Sequence, residues 1–147
     1  MSTETNKALM RCAVEEVYNQ GKVALIDELG TPNYVHHMPP FPDFGSLEDY
    51  KRFFIAIRSA FPDLHITIED LIAEGELVVL RYTWRGTNTG DFVLPTMRIP
   101  ATGKQVTMTG ITITRYAGGK AVEAWDLVDN LGFYQQLGLM PMPQAVG

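Results

Sequence analysis

The side chain best suited to carry chemistry is Asp126, in the strand predicted at 121–128. Alternate residues of a strand face opposite sides of a sheet, so Asp126 shares one face with Val122, Ala124 and Val128. That face is otherwise apolar. Burial in apolar surroundings disfavours the charged form of a carboxyl group and makes it a better proton acceptor. The spacing therefore favours a general acid or base, although a carboxylate satisfied by Tyr, Thr or backbone partners would fit the same pattern.

His36 and His37 are neighbours in a segment predicted to be a short edge strand, Tyr34-Val35-His36. Because neighbouring strand residues point in opposite directions, one of the two can face the interior as an acid, base or hydrogen-bond donor. The alternative is a pair of surface histidines beside a proline-rich loop. No H-E-x-x-H or similar spacing is present, so we predict no metal and no cofactor.

Sequence motifs typical of other chemistries are missing. The chain has no G-x-S-x-G nucleophile elbow, no P-loop and no dinucleotide-binding glycine run. Its one cysteine, Cys12, allows neither an intrachain disulfide nor a cysteine-based zinc site. Asp129 lies where the last strand gives way to a helix, a position typical of an N-cap rather than of catalysis.

The elements that must position these residues change in kind along the chain. Helical spacing predicts helices at about 6–19, 23–29 and 47–60, the last with Ser46 as its N-cap. Strands are predicted at 64–73, 77–88, 106–116 and 121–128, a loop at 91–103 and a closing helix at 129–137. This order predicts an α+β fold with a cavity at the mouth of one curved sheet.

The loop at 38–45 contains three prolines but is strongly apolar. An apolar loop needs cover, so we expect it to border the cavity or a partner subunit.

Composition narrows the class of protein. The chain has 147 residues and a mass of 16.4 kDa, which fits one domain over 1–147. Twelve basic residues against seventeen acidic ones give a net charge of −5, which argues against binding nucleic acid or an anionic membrane. With no signal core and no membrane-spanning run, we expect a cytoplasmic protein.

Several segments together resemble the SnoaL-like polyketide cyclases of the nuclear-transport-factor-2-like superfamily. These are Val17-Tyr18-Asn19-Gln20-Gly21, Phe61-Pro62-Asp63-Leu64, Arg81-Tyr82-Thr83-Trp84-Arg85-Gly86-Thr87, Pro100-Ala101-Thr102-Gly103-Lys104, Gly119-Lys120-Ala121-Val122-Glu123-Ala124-Trp125-Asp126 and Gln135-Gln136-Leu137-Gly138. They extend over roughly residues 6–140 in an order and spacing typical of the family.

The resemblance implies a cone-shaped α+β domain, with helices packed in a strongly curved, mainly antiparallel sheet around a deep apolar pocket. In these cyclases a pocket aspartate in the last long strand is the acid/base catalyst of an intramolecular aldol closure, without metal or cofactor. That aspartate falls on Asp126, and a pocket tyrosine of some members falls on Tyr18. Three positions differ: a pocket histidine of the family falls on Thr112, a pocket asparagine on His36, and a frequent turn histidine on Asn88. A ligand other than an anthracycline precursor is therefore expected.

We thus predict a SnoaL-like enzyme that acts on an apolar, carbonyl-containing small molecule. Asp126 would remove a proton next to the carbonyl, and His36 or Tyr18 would hydrogen-bond the developing enolate. The residues expected to bind the substrate are Tyr18, Met38, Phe53, Phe54, Tyr82, Trp84, Met108 and Thr112.

Two other functions fit the same residues. One is a non-catalytic small-molecule-binding domain of this fold. The other is a hydrolase like limonene-epoxide hydrolase, whose chemistry needs two carboxylates beside an arginine. Only Asp126 lies on the proposed inner face, and Arg81 and Arg85 alternate to the outer one.

The opposite strand faces carry Val79, Ile111, Ile113, Trp125 and Leu127. Because monomers seldom expose an apolar patch of this size, we predict a homodimer through the outer face of the sheet.

Overall fold

The computed structural model describes residues 2–141. Helix α1 is followed directly by a π-helical segment, and a short 3-10 turn leads into α2. The helical elements are α1 Thr3–Cys12, the π-helical segment Ala13–Asn19, the 3-10 turn Val23–Leu25, α2 Ile26–Leu29, α3 Leu47–Ala60 and α4 Asn130–Gln136. None of the helices within 2–141 is both long enough and apolar enough to cross a bilayer.

The strands are β1 Gly30–His37, β2 His65–Glu74, β3 Leu77–Thr87, β4 Phe92–Leu94, β5 Met97–Ile99, β6 Gln105–Ala117 and β7 Lys120–Val128. Five of them form one sheet in the order β1-β7-β6-β3-β2, and β4 and β5 form a separate hairpin. β1 runs parallel to β7, and the other neighbours in the sheet are antiparallel. The predicted α+β class with a mainly antiparallel sheet is confirmed.

Helix α3 has the predicted bounds, and its first turn shows why. The hydroxyl of Ser46 accepts a hydrogen bond from the backbone N–H of Asp49 at 3.1 Å, which satisfies one of the free donors at a helix N-terminus. The helix ends at Ala60, just before Phe61 and Pro62. Phe54 and Phe61 are both almost completely buried. The helix is therefore fixed at its start by a cap and along its length by packing.

The sheet is bent by irregularities in strand register. An extra residue in β2 lies between the pairs Ile68–Tyr82 and Asp70–Arg81. Another lies in β7, where Arg115 pairs with Glu123 but the next residue, Tyr116, pairs with Ala121. Such bulges bend a strand and increase its twist, which helps the sheet to curve around the helices.

The bulge in β7 corrects one prediction. Simple alternation places Ala121 on the outer face with Trp125, yet Ala121 lines the interior cavity. The register skips Val122, so the alternation changes phase at this point. Ala124 and Asp126, which follow the bulge, are buried as predicted.

The hairpin of β4 and β5 lies where the sequence predicted a plain loop at 91–103. Phe92 and Ile99 are buried, and the ring of Phe92 packs edge-on against Phe53 of α3 at 6.1 Å. Strands of three residues are too short to show an alternating pattern, so sequence spacing could not reveal them.

The first helix also differs from its prediction. It begins at Thr3 rather than near Asn6, with the Ser2 hydroxyl accepting a hydrogen bond from the Thr5 N–H at 3.1 Å. Its second half is π-helical, which a 3.6-residue period cannot indicate. β1 is longer than predicted, but it lies at the edge of the sheet as expected.

The outer face of the sheet is apolar at its centre. Ile111 and Leu127 are paired across β6 and β7 and are 47% and 68% exposed. Trp125 is partly covered by the guanidinium group of Arg115, which lies 5.3 Å from the centre of the ring. No chain segment within 2–141 covers Ile111 and Leu127, so the homodimer through this face stays a prediction.

If a second copy covers this face, the double variant Ile111→Ser/Leu127→Ser should dissociate. Light scattering should give 16.4 kDa for the variant and twice that mass for the unmodified protein. Far-ultraviolet circular dichroism should be unchanged, because both side chains lie outside the core.

Leu131→Ser is the matched control, since Leu131 is similarly exposed at 52% but belongs to α4 rather than to a strand of the sheet. A mass of 16.4 kDa for the unmodified protein at micromolar concentration would contradict the dimer.

Candidate active site

A cavity of about 180 Å³ lies between the helices and the inner face of the sheet. All the residues predicted to be catalytic or to bind substrate line it. They are Tyr18, His36, Met38, Phe53, Phe54, Tyr82, Trp84, Met108, Thr112 and Asp126. The fold thus brings these residues together in one space, while their chemical roles remain predictions. Asn88, the other position where the chain differs from the family, is buried in a turn and hydrogen-bonds the carbonyl groups of Ala60 and Gly90.

Asp126 is only 8% exposed, and both of its oxygens have hydrogen-bond partners. Tyr82 donates to Oδ1 at 3.0 Å and Thr112 donates to the same oxygen at 2.9 Å. Oδ2 lies 3.3 Å from Nε2 of His36. These contacts compensate the cost of burying a carboxylate, and they come from three different strands.

Tyr82 reaches Asp126 because its partner on β6 is a glycine. Gly110 lies directly opposite Tyr82, and a Cβ atom at position 110 would collide with the hydroxyl group and ring of Tyr82. Burial, together with the nearby charge of Asp126, raises the pKa of Tyr82 well above its ordinary value. Tyr82 therefore keeps its proton and remains a donor to the carboxylate.

Both ring nitrogens of His36 are engaged. Nδ1 lies 2.6 Å from the hydroxyl oxygen of Tyr34, and Nε2 faces Asp126. Burial raises the pKa of Tyr34 well above its ordinary value, so Tyr34 stays protonated and can donate to Nδ1. A neutral His36 then carries its proton on Nε2 and donates it to Oδ2 of Asp126.

Tyr34 and Tyr50 complete this network, although no sequence pattern assigned either of them a chemical role. Tyr34 lies two residues before His36 on β1, so it shares the inner face. The ring of Tyr50 stacks on His36, with centroids 4.2 Å apart and planes 17° from parallel. In the sequence, Tyr50 lies three residues after Leu47 and four before Phe54, a helical spacing of apolar residues that was the one signal that Tyr50 faces the interior.

Tyr18 lies at the end of the π-helical segment and hydrogen-bonds Tyr50 through its hydroxyl group. Burial raises the pKa of Tyr18 to about 12, while the hydrogen bond from Tyr50 acts in the opposite direction. The tyrosine hydroxyls form a second polar group in the cavity, beside the pair of Asp126 and His36.

Aromatic side chains close the cavity on one side. Phe53 of α3 contacts Phe41 and Phe44 of the 38–45 loop and Phe92 of β4. Met38 is buried, and Met38 and Phe41 line the cavity. The prediction that this apolar loop borders the cavity is confirmed.

The described lining of the cavity contains one acidic side chain and no lysine or arginine. That acidic side chain is Asp126. Within 2–141, no three His, Cys, Asp or Glu side chains are grouped so as to bind a metal ion.

His37 points away from the cavity, as alternation along β1 requires. Its Nδ1 lies 2.9 Å from Asp43 of the 38–45 loop, and its Nε2 lies 2.7 Å from Glu123 of β7. Its ring stacks on Trp125. The hydrogen bonds with Glu123 and then Asp43 raise the pKa of His37 above its ordinary value.

The tautomer of His36 can be tested directly. Long-range proton–nitrogen correlation spectra should show the proton of neutral His36 on Nε2. Tyr34→Phe should broaden or change that pattern and lower the free energy of unfolding by about 1 kcal/mol, because one buried hydrogen bond is lost. Tyr116→Phe is the control, since Tyr116 lines the cavity and the one described hydrogen-bond partner of its hydroxyl is the sulfur of Met10, at 4.0 Å. A proton found on Nδ1 would contradict the arrangement.

The ion pairs of His37 predict a pH-dependent contribution to stability. Because the pKa of His37 is raised in the folded state, the contribution is complete below the unfolded-state pKa and is lost as pH rises through the folded-state pKa. In urea titrations, His37→Gln should destabilise the protein at about pH 5 and much less at about pH 9. The exposed His65, changed to Gln, should show no such trend. A destabilisation that grows with pH would exclude this account.

Comparison with known proteins identifies the family and supports the fold. The sequence matches the family model of SnoaL-like polyketide cyclases over residues 8–137. A candidate polyketide cyclase from Acidithiobacillus ferrooxidans is 32% identical, with a TM-score of 0.77, over 94% of this chain and 98% of that one. TsrD from Streptomyces laurentii is 28% identical, with a TM-score of 0.81, over 95% and 99% of the two chains. A candidate SnoaL-like cyclase from Jannaschia sp. CCS1, at 20% identity and a TM-score of 0.84 over 95% of both chains, shows the same fold.

Among curated proteins none matches the sequence. The family match covers most of the chain and includes both the helices and the strands that surround the cavity. The chain therefore belongs to the SnoaL-like polyketide cyclase family.

Proposed function

We propose that the protein is a cofactor-free acid/base enzyme in which Asp126 removes a proton next to the carbonyl group of an apolar small molecule. The observation that carries this proposal is a buried carboxylate that lines an apolar cavity and keeps one acceptor position open.

The open position is on Oδ2. An ionised carboxylate can accept about four hydrogen bonds, two on each oxygen. Tyr82 and Thr112 occupy both positions on Oδ1, whereas His36 is the one described partner of Oδ2. The second lone pair of Oδ2 is therefore available to receive a proton from a substrate.

The same contacts favour Tyr18 over His36 as the donor to the enolate oxygen. His36 has no free N–H, because Nε2 faces Asp126 and Nδ1 faces Tyr34. Tyr18 lines the cavity and has a hydroxyl group whose described partner is another hydroxyl. Of the two donors predicted from the sequence, Tyr18 is thus the better placed, and His36 instead orients Asp126.

The proposed reaction is an intramolecular aldol closure. Oδ2 of Asp126 takes the α-proton, and the electrons of the broken C–H bond form an enolate whose oxygen accepts a hydrogen bond from Tyr18. The enolate carbon attacks a second carbonyl of the same molecule, and Asp126 returns its proton to the new alkoxide. No atom is gained or lost, so the product is an isomer of the substrate.

The size and charge of the cavity indicate the class of substrate. A volume of about 180 Å³ is below the range of about 300–1,000 Å³ typical of drug-sized ligands. With no lysine or arginine among the described lining residues, the cavity offers no partner for a carboxylate or phosphate group. We therefore propose a neutral, apolar ligand of one or two rings.

A second candidate is non-catalytic binding of such a ligand. It is favoured by the hydrogen bonds of Asp126, which satisfy both oxygens without any ligand. Epoxide hydrolysis of the limonene type gains no support, because the described lining residues include neither a second carboxylate nor an arginine.

Proton abstraction can be measured without the natural substrate. In D₂O, the unmodified protein should accelerate exchange of the α-protons of a two-ring ketone such as 2-tetralone, followed by proton NMR. Asp126→Asn should slow the catalysed exchange by at least about 100-fold, because the amide cannot accept the proton.

Asp129→Asn is the matched control. Asp129 caps α4 by accepting a hydrogen bond from the Gly132 N–H at 2.9 Å, and asparagine is an equally good N-cap. Catalysed exchange that survives Asp126→Asn would exclude Asp126 as the base. Ligand binding without any exchange would favour the non-catalytic alternative.

A further inference from the structure

The hydroxyl groups of Tyr18 and Tyr50, here called the hydroxyl pair, are within hydrogen-bond distance of each other. Both residues line the cavity and are half-buried. Neither hydroxyl has another described hydrogen-bond partner. Tyr18 is a predicted binding residue, whereas nothing in the sequence pattern assigned a chemical role to Tyr50.

The hydroxyl pair holds two protons but needs only one for its internal hydrogen bond. The other proton has no described partner in the protein and lies at the cavity wall. The pair can therefore offer one O–H to a ligand oxygen while keeping its internal bond. A hydroxyl group that accepts one hydrogen bond becomes a stronger donor of a second, because the two bonds polarise each other.

Electrostatics indicate which hydroxyl is the outer one. The pKa of Tyr50 is raised well above its ordinary value by burial, and its bond to Tyr18 raises it further. The same bond lowers the pKa of Tyr18, while burial, the larger effect, raises it to about 12. Either hydroxyl could donate on geometry, and these directions favour Tyr50 as the donor, which leaves the proton of Tyr18 for a ligand.

The backbone around Tyr18 is fixed by the helix that carries Tyr50. Arg58 of α3 donates to the carbonyl oxygen of Tyr18 at 2.8 Å. Gly21, with a φ of 74°, ends the π-helical segment where a Cβ atom would collide with Arg58. Asn19 exchanges two hydrogen bonds with the backbone of Ile66 on β2, at 2.7 and 3.0 Å.

These contacts set the position of Tyr18 relative to α3. π-Helical turns are rare and often occur at functional sites, which agrees with a specific role for a residue at the end of this one. Donors whose geometry is fixed in advance stabilise developing charge without having to reorganise.

We propose that Tyr50 is a positioning residue that donates to Tyr18, so that the hydroxyl of Tyr18 binds the oxyanion of an enolate or phenolate ligand. This inference rests on the proposed function for its biological meaning. The ligand class it predicts is an apolar molecule that is neutral in solution and carries a negative charge on the oxygen beside Tyr18 once Asp126 has taken its proton.

The test uses 4-nitrophenol, whose anion absorbs visible light and resembles an enolate in carrying its charge on an oxygen beside a π-system. All variants carry Asp126→Asn. In the proposed reaction the enolate exists only while Asp126 is protonated and neutral, and the amide of asparagine is a neutral substitute for that protonated carboxyl group. Absorbance titration gives the affinity for the anion. Adding Tyr18→Phe should weaken binding by about tenfold, the effect of one hydrogen bond to a charged group.

Adding Tyr50→Phe should weaken binding by about threefold to tenfold, although Tyr50 does not touch the oxyanion. The decisive result is non-additivity: once Tyr18 is Phe, adding Tyr50→Phe should change the affinity less than about twofold. Tyr116→Phe, which removes a cavity hydroxyl outside the pair, should have no effect.

Additive losses from Tyr18→Phe and Tyr50→Phe would overturn the proposal, as would an unchanged affinity in Tyr50→Phe or no binding of the anion at all. The binding test involves no turnover, so its outcome is independent of ketone exchange. If exchange occurs without coupling between the two tyrosines, the positioning role of Tyr50 is excluded and the proposed reaction stands. If coupling occurs without exchange, the proposed reaction is excluded and the positioning role stands.

Discussion

Burial of the carboxyl group of Asp126 is the constraint on which the arrangement of the sheet depends. A buried carboxylate without hydrogen bonds costs several kcal/mol or more, so its donors must be supplied by the fold. Thr112 of β6 is the direct cross-strand partner of Asp126. Tyr82 of β3 is paired with Gly110 of β6, and His36 of β1 is paired with Ala124 of β7. Slipping any of these strands by one residue would turn its donor to the outer face. The polar network and the strand register therefore stabilise each other.

The interior separates two kinds of polar group within an apolar space. Asp126 with His36 forms the end that can accept a proton, and the hydroxyl pair forms the end that can donate a hydrogen bond. The ring of Tyr50 connects them, because it stacks on His36 while its hydroxyl contacts Tyr18. Most of the remaining described lining is apolar, so a ligand carbonyl is expected to lie against a polar group rather than against the apolar walls. The contrast between apolar walls and polar ends would thus orient the ligand.

Local patterns in the sequence predicted most of this fold, and the failures have physical causes. The two-residue period of β7 identified Asp126, and Ser46 gave the start of α3, because both signals act within a few residues. The bulge at Val122 shifted that period and misplaced Ala121. The β4–β5 hairpin was missed because its three-residue strands are held by the packing of Phe92 on α3 rather than by a pattern of their own. Which atoms of Tyr34 and Tyr50 meet which partners depends on tertiary structure alone.

Thr112 and His36, the two pocket positions where the chain differs from the family pattern, both contact Asp126. The resemblance places a histidine at 112 and an asparagine at 36, whereas this chain has Thr112 and His36. Thr112 still donates to one oxygen of Asp126, and the imidazole now approaches the other oxygen from β1. The imidazole that the family pattern places on β6 thus lies on β1 in this chain, where its neighbours are Tyr34 and Tyr50. Because an aspartate stands at 126 as in the family pattern while two side chains around it differ, the chemistry proposed for Asp126 is compatible with a ligand of different shape.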